Sequence, residues 1–125
     1  QGEHRWRWWS DDGGATWSAP DPGDIAITPV DASLILLNDD RLAFTGPAGP
    51  GRTNLSLWLS SDGGRSFRSA GIIRFNRQFW LFRSAGIIAE GHAAYSVTQQ
   101  LPDGSLGVVY EATGSTVIRF VRLNP

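Results

Sequence analysis

The sequence predicts an all-β fold, and three observations carry that expectation. An Asp-Gly-Gly turn occurs twice, at residues 10–17 and 60–67, each time directly after a β-prone run. Strand-like runs recur at short spacing and are joined by tight turns. No stretch keeps a helical apolar period over two turns.

Aligned on their glycine pairs, the two octets read Ser-x-Asp-Gly-Gly-x-(Ser/Thr)-aromatic. They are Ser10, Asp12, Gly13, Gly14, Thr16, Trp17 and Ser60, Asp62, Gly63, Gly64, Ser66, Phe67. Paired glycines supply the positive φ angles of a tight turn. The aspartate accepts backbone N–H bonds inside the loop, and the closing aromatic is expected to fold under it.

Taken in order, Trp6-Arg7-Trp8-Trp9 is β-prone and runs into the first octet. A Pro/Asp/Gly loop is expected over residues 18–24. Residues 33–37 read as a strand, Asn38-Asp39-Asp40 as a turn and residues 41–45 as the partner strand. The Gly/Pro run over residues 46–51 reads as a loop delivering Arg52. Residues 55–59 form a strand entering the second octet. Residues 95–101, 105–111 and 116–123 form three more, joined by Pro102-Asp103-Gly104 and Thr113-Gly114-Ser115.

Composition narrows the function classes. The chain has 125 residues, enough for one modest domain, and a net charge of −1 that gives no global attraction to nucleic acid or anionic membranes. All 11 basic residues are arginine, and methionine and cysteine are absent, so disulfides and thiolate metal sites are excluded. No apolar run approaches the ~20 residues of a membrane span. The chain reads as a piece of a longer protein.

Hairpin-linked strands with one Asp-Gly-Gly turn per unit suggest an incomplete β-propeller of about two to three blades. Strands 33–37, 41–45 and 55–60 with the segment after Arg65 make one blade, the three C-terminal strands most of another, and residues 6–20 the outer half of a third. A second repeat differs in kind. Residues 67–73, Phe-Arg-Ser-Ala-Gly-Ile-Ile, recur unchanged at residues 82–88, offset by 15 residues. Identity rather than pattern marks a local tandem duplication, and one copy is expected to be redundant to the fold.

The octets resemble the Asp boxes, or BNR repeats, of the sialidase (neuraminidase) superfamily. Residues 32–37, 40–44 and Arg52-Thr53-Asn54-Leu55-Ser56-Leu57-Trp58-Leu59-Ser60 resemble the late part of the exo-α-sialidase catalytic domain. Ala94-Tyr95-Ser96, residues 101–111 and residues 118–123 resemble its end. The resemblance implies that residues 1–125 are a partial six-bladed sialidase propeller carrying a duplicated segment at about 67–88. It implies a retaining glycoside hydrolase that releases terminal sialic acids from glycoconjugates without a cofactor. Tyr95 then corresponds to the catalytic nucleophile, Arg52 to the third member of the arginine triad that grips the sialic acid carboxylate, and Glu111 to the glutamate that orients another triad arginine. The remaining arginines, the acid/base aspartate and the glutamate that activates the tyrosine lie upstream in the family and match nothing here. Arg52 and Tyr95 stand farther apart than the family usually shows, and removing one duplicated unit restores a familiar spacing. The resemblance further implies a sialylated glycan as partner, a site that needs N-terminal blades to be complete, and a secreted or extracytoplasmic protein; the residues alone leave localisation open.

These residue types suit that chemistry. A sialoside carries a carboxylate on its reacting carbon, which an arginine fork pairs bidentately. The same carboxylate repels an anionic nucleophile, so a neutral phenol replaces the usual Asp or Glu. A phenol with a pKa near 10 needs about 4 kcal/mol to ionise at pH 7, so a neighbouring base is required. None stands at the family's position here, and the isolated chain is expected to be inactive.

Plainer readings stand beside these. Tyr95 could be an ordinary strand tyrosine, Arg52 a solvated loop arginine and Glu111 a surface carboxylate. The whole could be a non-catalytic Asp-box propeller module that binds glycan or protein. The octets lack the alternating oxygen ligands of an EF-hand, and His4 and His92 are isolated, so no metal site is expected. Residues 65–83 interleave arginines with aromatics, a pattern that can bind single-stranded nucleic acid or anionic glycans. The duplication accounts for that density, so a solvated or disordered insertion is expected and no nucleic-acid partner.

Overall fold

A computed structural model describes residues 4–70 and 87–124. Among them every regular element is a β-strand, as expected. The strands are β1 (His4–Arg7), β2 (Asp21–Ala26), β3 (Ser33–Leu36), β4 (Leu42–Gly49), β5 (Thr53–Ser60), β6 (Arg68–Ser69), β7 (Ile87–Gln100), β8 (Leu106–Ala112) and β9 (Val117–Leu123). All pair antiparallel. β1 and β2 form a two-stranded sheet, and the others follow the order β3-β4-β5-β7-β8-β9 with β6 beside β5. β7 is shared: residues 87–92 pair with β5, continuing the edge that β6 occupies, and residues 93–100 pair with β8.

Two segments expected to be loops are strands. Asp21-Pro22-Gly23-Asp24 belongs to β2, where Pro22 stands opposite Trp6 on a strand that has one partner strand among the described residues, a position that tolerates a missing N–H. Gly46 to Gly49 extends β4, with Pro47 opposite Leu55. The Pro47 carbonyl points away from β5 and accepts from Thr28 N (3.3 Å), so its missing donor lies off the β4–β5 ladder. Small residues are required there. A Cβ on Gly49 would come within 2.3 Å of the Thr53 hydroxyl oxygen.

The core lies between the β3–β5 and β7–β9 parts of this sheet. Leu37, Ala43, Leu55, Leu57, Ala93, Val108 and Tyr110 fill it. The hydroxyls of Thr45, Ser96 and Thr98 are also enclosed, and they satisfy one another: Thr45 Oγ1 lies 2.6 Å from Thr98 Oγ1 and 3.2 Å from Ser96 Oγ.

The two octets form the same turn. In each, the aspartate accepts the backbone N–H and the hydroxyl of the residue four positions on, and the serine hydroxyl accepts the N–H of the second glycine. The aromatics differ. Phe67 packs edge-on against Phe44 (ring centroids 6.1 Å apart). Trp17 folds against Gly14 of its own loop, as expected, but is 62% exposed. Arg7 joins the sheets: it pairs with Asp21 and Asp24 and donates to the Gly64 carbonyl, while Asp24 accepts from Phe67 N.

The duplicated segment is shared along one edge of β5. Ser69 stands opposite Trp58, and Ala70 N donates to the Leu57 carbonyl. The next residue of β5, Ser56, stands opposite Ile87 of the second copy, and Ile88 is buried. Residues 71–86, including the rest of both copies and most of the arginine-aromatic stretch, lie outside the described residues.

Candidate functional site

Three chain segments meet where β5 begins, beside the middle of β7. His92 stands opposite Thr53, Ala93 N donates to the Arg52 carbonyl (2.7 Å), and Ala93 stands opposite Ala112 at the end of β8. Ser115 of the β8–β9 turn lies 3.4 Å from His92 Nε2. Five non-glycine residues in these segments have positive φ: Arg52 (62°), Asn54 (59°), Tyr95 (47°), Thr113 (53°) and Ser115 (65°). Each such residue stores on the order of 1 kcal/mol or more of strain, and strain of this kind gathers at functional sites.

Tyr95 owes its position to a β-bulge. Ala94 stands opposite Glu111 and Val97 opposite Val109, so Tyr95 and Ser96 share the single residue Tyr110. An extra residue re-aims the side chains on either side of it. Here Ser96 turns inward to Thr45, while the Tyr95 phenol stands 42% exposed.

Arg52 and Tyr95, two of the three expected site residues, are in contact. The guanidinium carbon lies 5.3 Å from the centroid of the phenol ring, and Arg52 Nη1 donates a long hydrogen bond (3.4 Å) to Tyr95 Oη. Arg52 follows Gly51, also at positive φ (63°), and these two residues end the β4–β5 connection beside β7. Glu111 arrives by register only, opposite the residue before Tyr95; the Arg52–Tyr95 contact does not include its carboxylate. The pair presents one fixed cation and one hydroxyl on the same surface. That arrangement can hold a carboxylate beside a nucleophilic oxygen. Among the described residues no group of three or more His, Asp or Glu could hold a metal ion.

The supporting residues were not singled out from the sequence. The signal for Ser96 and Thr98 was present, because Ser96-Val97-Thr98 alternates with its polar members inside and its apolar member outside. A groove of about 650 Å³ lies elsewhere, between β1 and the face of β3 and β4, lined by Trp6, Trp8, Leu34, Leu42 and Phe44 among others.

The profile of the BNR repeat-like domain matches residues 1–108. The chain belongs to the BNR repeat-like domain family. No curated protein is significantly similar to it in sequence. Among solved structures, this BNR-repeat chain resembles the intramolecular trans-sialidase from Ruminococcus gnavus, with a TM-score of 0.69 and 21% identity over 98% of this chain and 28% of that one. It likewise resembles the leech intramolecular trans-sialidase, with a TM-score of 0.67 and 21% identity over 97% of this chain and 20% of that one. At this identity the likeness is one of fold, a sialidase-type propeller, of which the BNR-repeat chain spans between a fifth and a third of either neighbour's length.

Proposed function

We propose that this chain is the C-terminal part of an exo-α-sialidase, a retaining glycosidase that releases terminal sialic acids. The observation that carries the reading is the contact between Arg52 and Tyr95, two residues 43 positions apart that the family resemblance pairs and that a bulge and a strained loop hold together. The two trans-sialidase structures support it at the level of fold, one in complex with oseltamivir carboxylate and the other with 2,7-anhydro-Neu5Ac.

In this reading Arg52 pairs with the sialic acid carboxylate, fixing the anomeric carbon over Tyr95 Oη. The phenol oxygen bonds to that carbon as the bond to the aglycone oxygen breaks, and water then displaces the tyrosine with net retention. Glu111 orients a second arginine supplied from outside the chain. No cofactor takes part. The proton acceptor for the phenol and the donor for the leaving oxygen also come from outside, so the 125 residues bind but do not turn over.

Further blades are also suggested by what stands uncovered. Trp6, Trp8, Leu34 and Leu36 are exposed, and Arg5 Nε is buried without a hydrogen-bond partner among the described residues. A fluorogenic sialoside assay on the purified chain tests the assignment of roles. We expect no turnover; turnover that disappears in Tyr95→Phe would show that the chain contains its own base and acid.

A further inference from the structure

The two octets make the same turn and lay their aromatics against the same second glycine, but Phe67 is covered by Phe44 while Trp17 stays exposed, a difference the turn does not require. Ser10, Asp12 and Thr16 complete the first loop's hydrogen bonds without help from the indole face. Trp17 nevertheless stays in solvent with its ring pinned, because its N–H donates to the Gly14 carbonyl (3.1 Å). Trp9 lines the same cleft. Its N–H donates to the Gly63 carbonyl (3.4 Å), and the Arg7 and Arg65 guanidinium carbons lie 5.2 and 5.8 Å from its ring centroid. The cleft between them encloses about 440 Å³, with Asp11, Thr16 and Arg65 also in its lining. Neither Asp11 nor Arg65 makes an ion pair with a described residue.

We propose that this cleft between the octets binds a neutral pyranose residue of a glycan, at a site formed by residues other than Arg52 and Tyr95. A ring already fixed by its N–H offers its face with little further loss of freedom and no unmet donor. Such a face fits the C–H side of a pyranose. One free carboxylate and one free guanidinium at the rim fit hydroxyls, which donate and accept equally well. A purely apolar partner would strip water from both charges without pairing either. An anionic ligand would meet Asp11 and Asp12, and a cationic one Arg65.

The test is a lactose titration of the ¹⁵N-labelled 125-residue chain, followed through the tryptophan indole N–H resonances. The Trp17 resonance should shift and saturate, and the response should vanish in Trp17→Ala. Because that change removes a turn residue, Asp11→Asn and Arg65→Gln serve as further variants that leave the hydrogen bonds of both octets in place; each should weaken binding roughly fivefold. An absent or non-saturating response in the native chain, or an affinity unchanged from the native chain in both charge variants, overturns the proposal. So does a response abolished by Arg52→Ala, which would place the sugar at the other site. The roles assigned to Arg52 and Tyr95 do not depend on this result.

Discussion

Thr45 on β4 and Ser96 on β7 bond to each other in the closed interior, one residue from the exposed Tyr95. Their hydroxyls lie 3.2 Å apart, and Ser96 Oγ also donates to the Thr45 carbonyl at 3.0 Å. This contact fixes the bulge from below and with it the direction of the phenol. Replacing Thr45 by valine keeps the shape and the Ser96 bond to the residue-45 carbonyl, but removes the hydroxyl that Thr98 and Ser96 share. We expect a loss of about 1–3 kcal/mol in urea unfolding, with the slope of the transition unchanged.

The bulge itself is strained, since Tyr95 holds φ at 47°. Glycine tolerates that angle and alanine does not. Tyr95→Gly should therefore be more stable than Tyr95→Ala by about 1 kcal/mol, the reverse of the order at an ordinary strand position. Equal stability, or alanine ahead, would mean that the backbone at Tyr95 relaxes when the side chain is lost.

The octets contribute acid-sensitive stability through two carboxylates. The Thr16 hydroxyl, followed by the Thr16 N–H and the Ser10 hydroxyl, lowers the Asp12 pKa from 3.8 to about 2. Asp62 is lowered further by the matching bonds from Ser66 and Ser60. Both pKa values fall on folding, so in this window the unfolded chain binds more protons. The stabilisation is complete above the unfolded value and is lost as pH falls through the folded ones. Stability measured by denaturant should decline from about pH 4 downward, and Asp12→Asn with Asp62→Asn should flatten that decline.

The shared outer strand makes a prediction about the duplication. Removing residues 67–81 or 71–85 gives the same polypeptide, and either way one glycine remains between Ala70 and Ile87. The register along β5 already shifts by one residue there, a place where a glycine bulge fits. A shorter connection lowers the closure entropy, so the deleted chain should keep its β signal and gain on the order of 1–2 kcal/mol. Loss of β circular dichroism would show that both copies are needed.

The all-β class, the two octet turns and the C-terminal hairpins were legible because each rests on local chemistry: paired glycines, Asp-Gly turns and alternating strands. The strands at Asp21–Ala26 and Gly46–Gly49 were not legible. Glycine and proline there read as breakers until the neighbouring strand shows which side their backbone faces. Arg52 and Tyr95 stood out only through family resemblance, since nothing near Tyr95 announces a bulge; the left-handed residue is a tyrosine, not a glycine. The folding of Trp17 against Gly14 was legible in the octet, but its exposure was not, because whether an aromatic is covered depends on its neighbours. Phe67 finds Phe44, and Trp17 finds the cleft beside Trp9.

The central claim is that Arg52 and Tyr95 form a sialic acid site, and an NMR titration with N-acetylneuraminic acid tests it most directly. Resonances of residues 52, 53 and 92–96 should shift in a saturable way. Arg52→Ala should weaken binding at least tenfold, the effect of losing about 1.4 kcal/mol or more. Tyr95→Phe should bind within about twofold of the native chain, since the phenol oxygen is assigned to bond making rather than to grip. Binding untouched by Arg52→Ala, or shifts confined to another surface, would contradict the account.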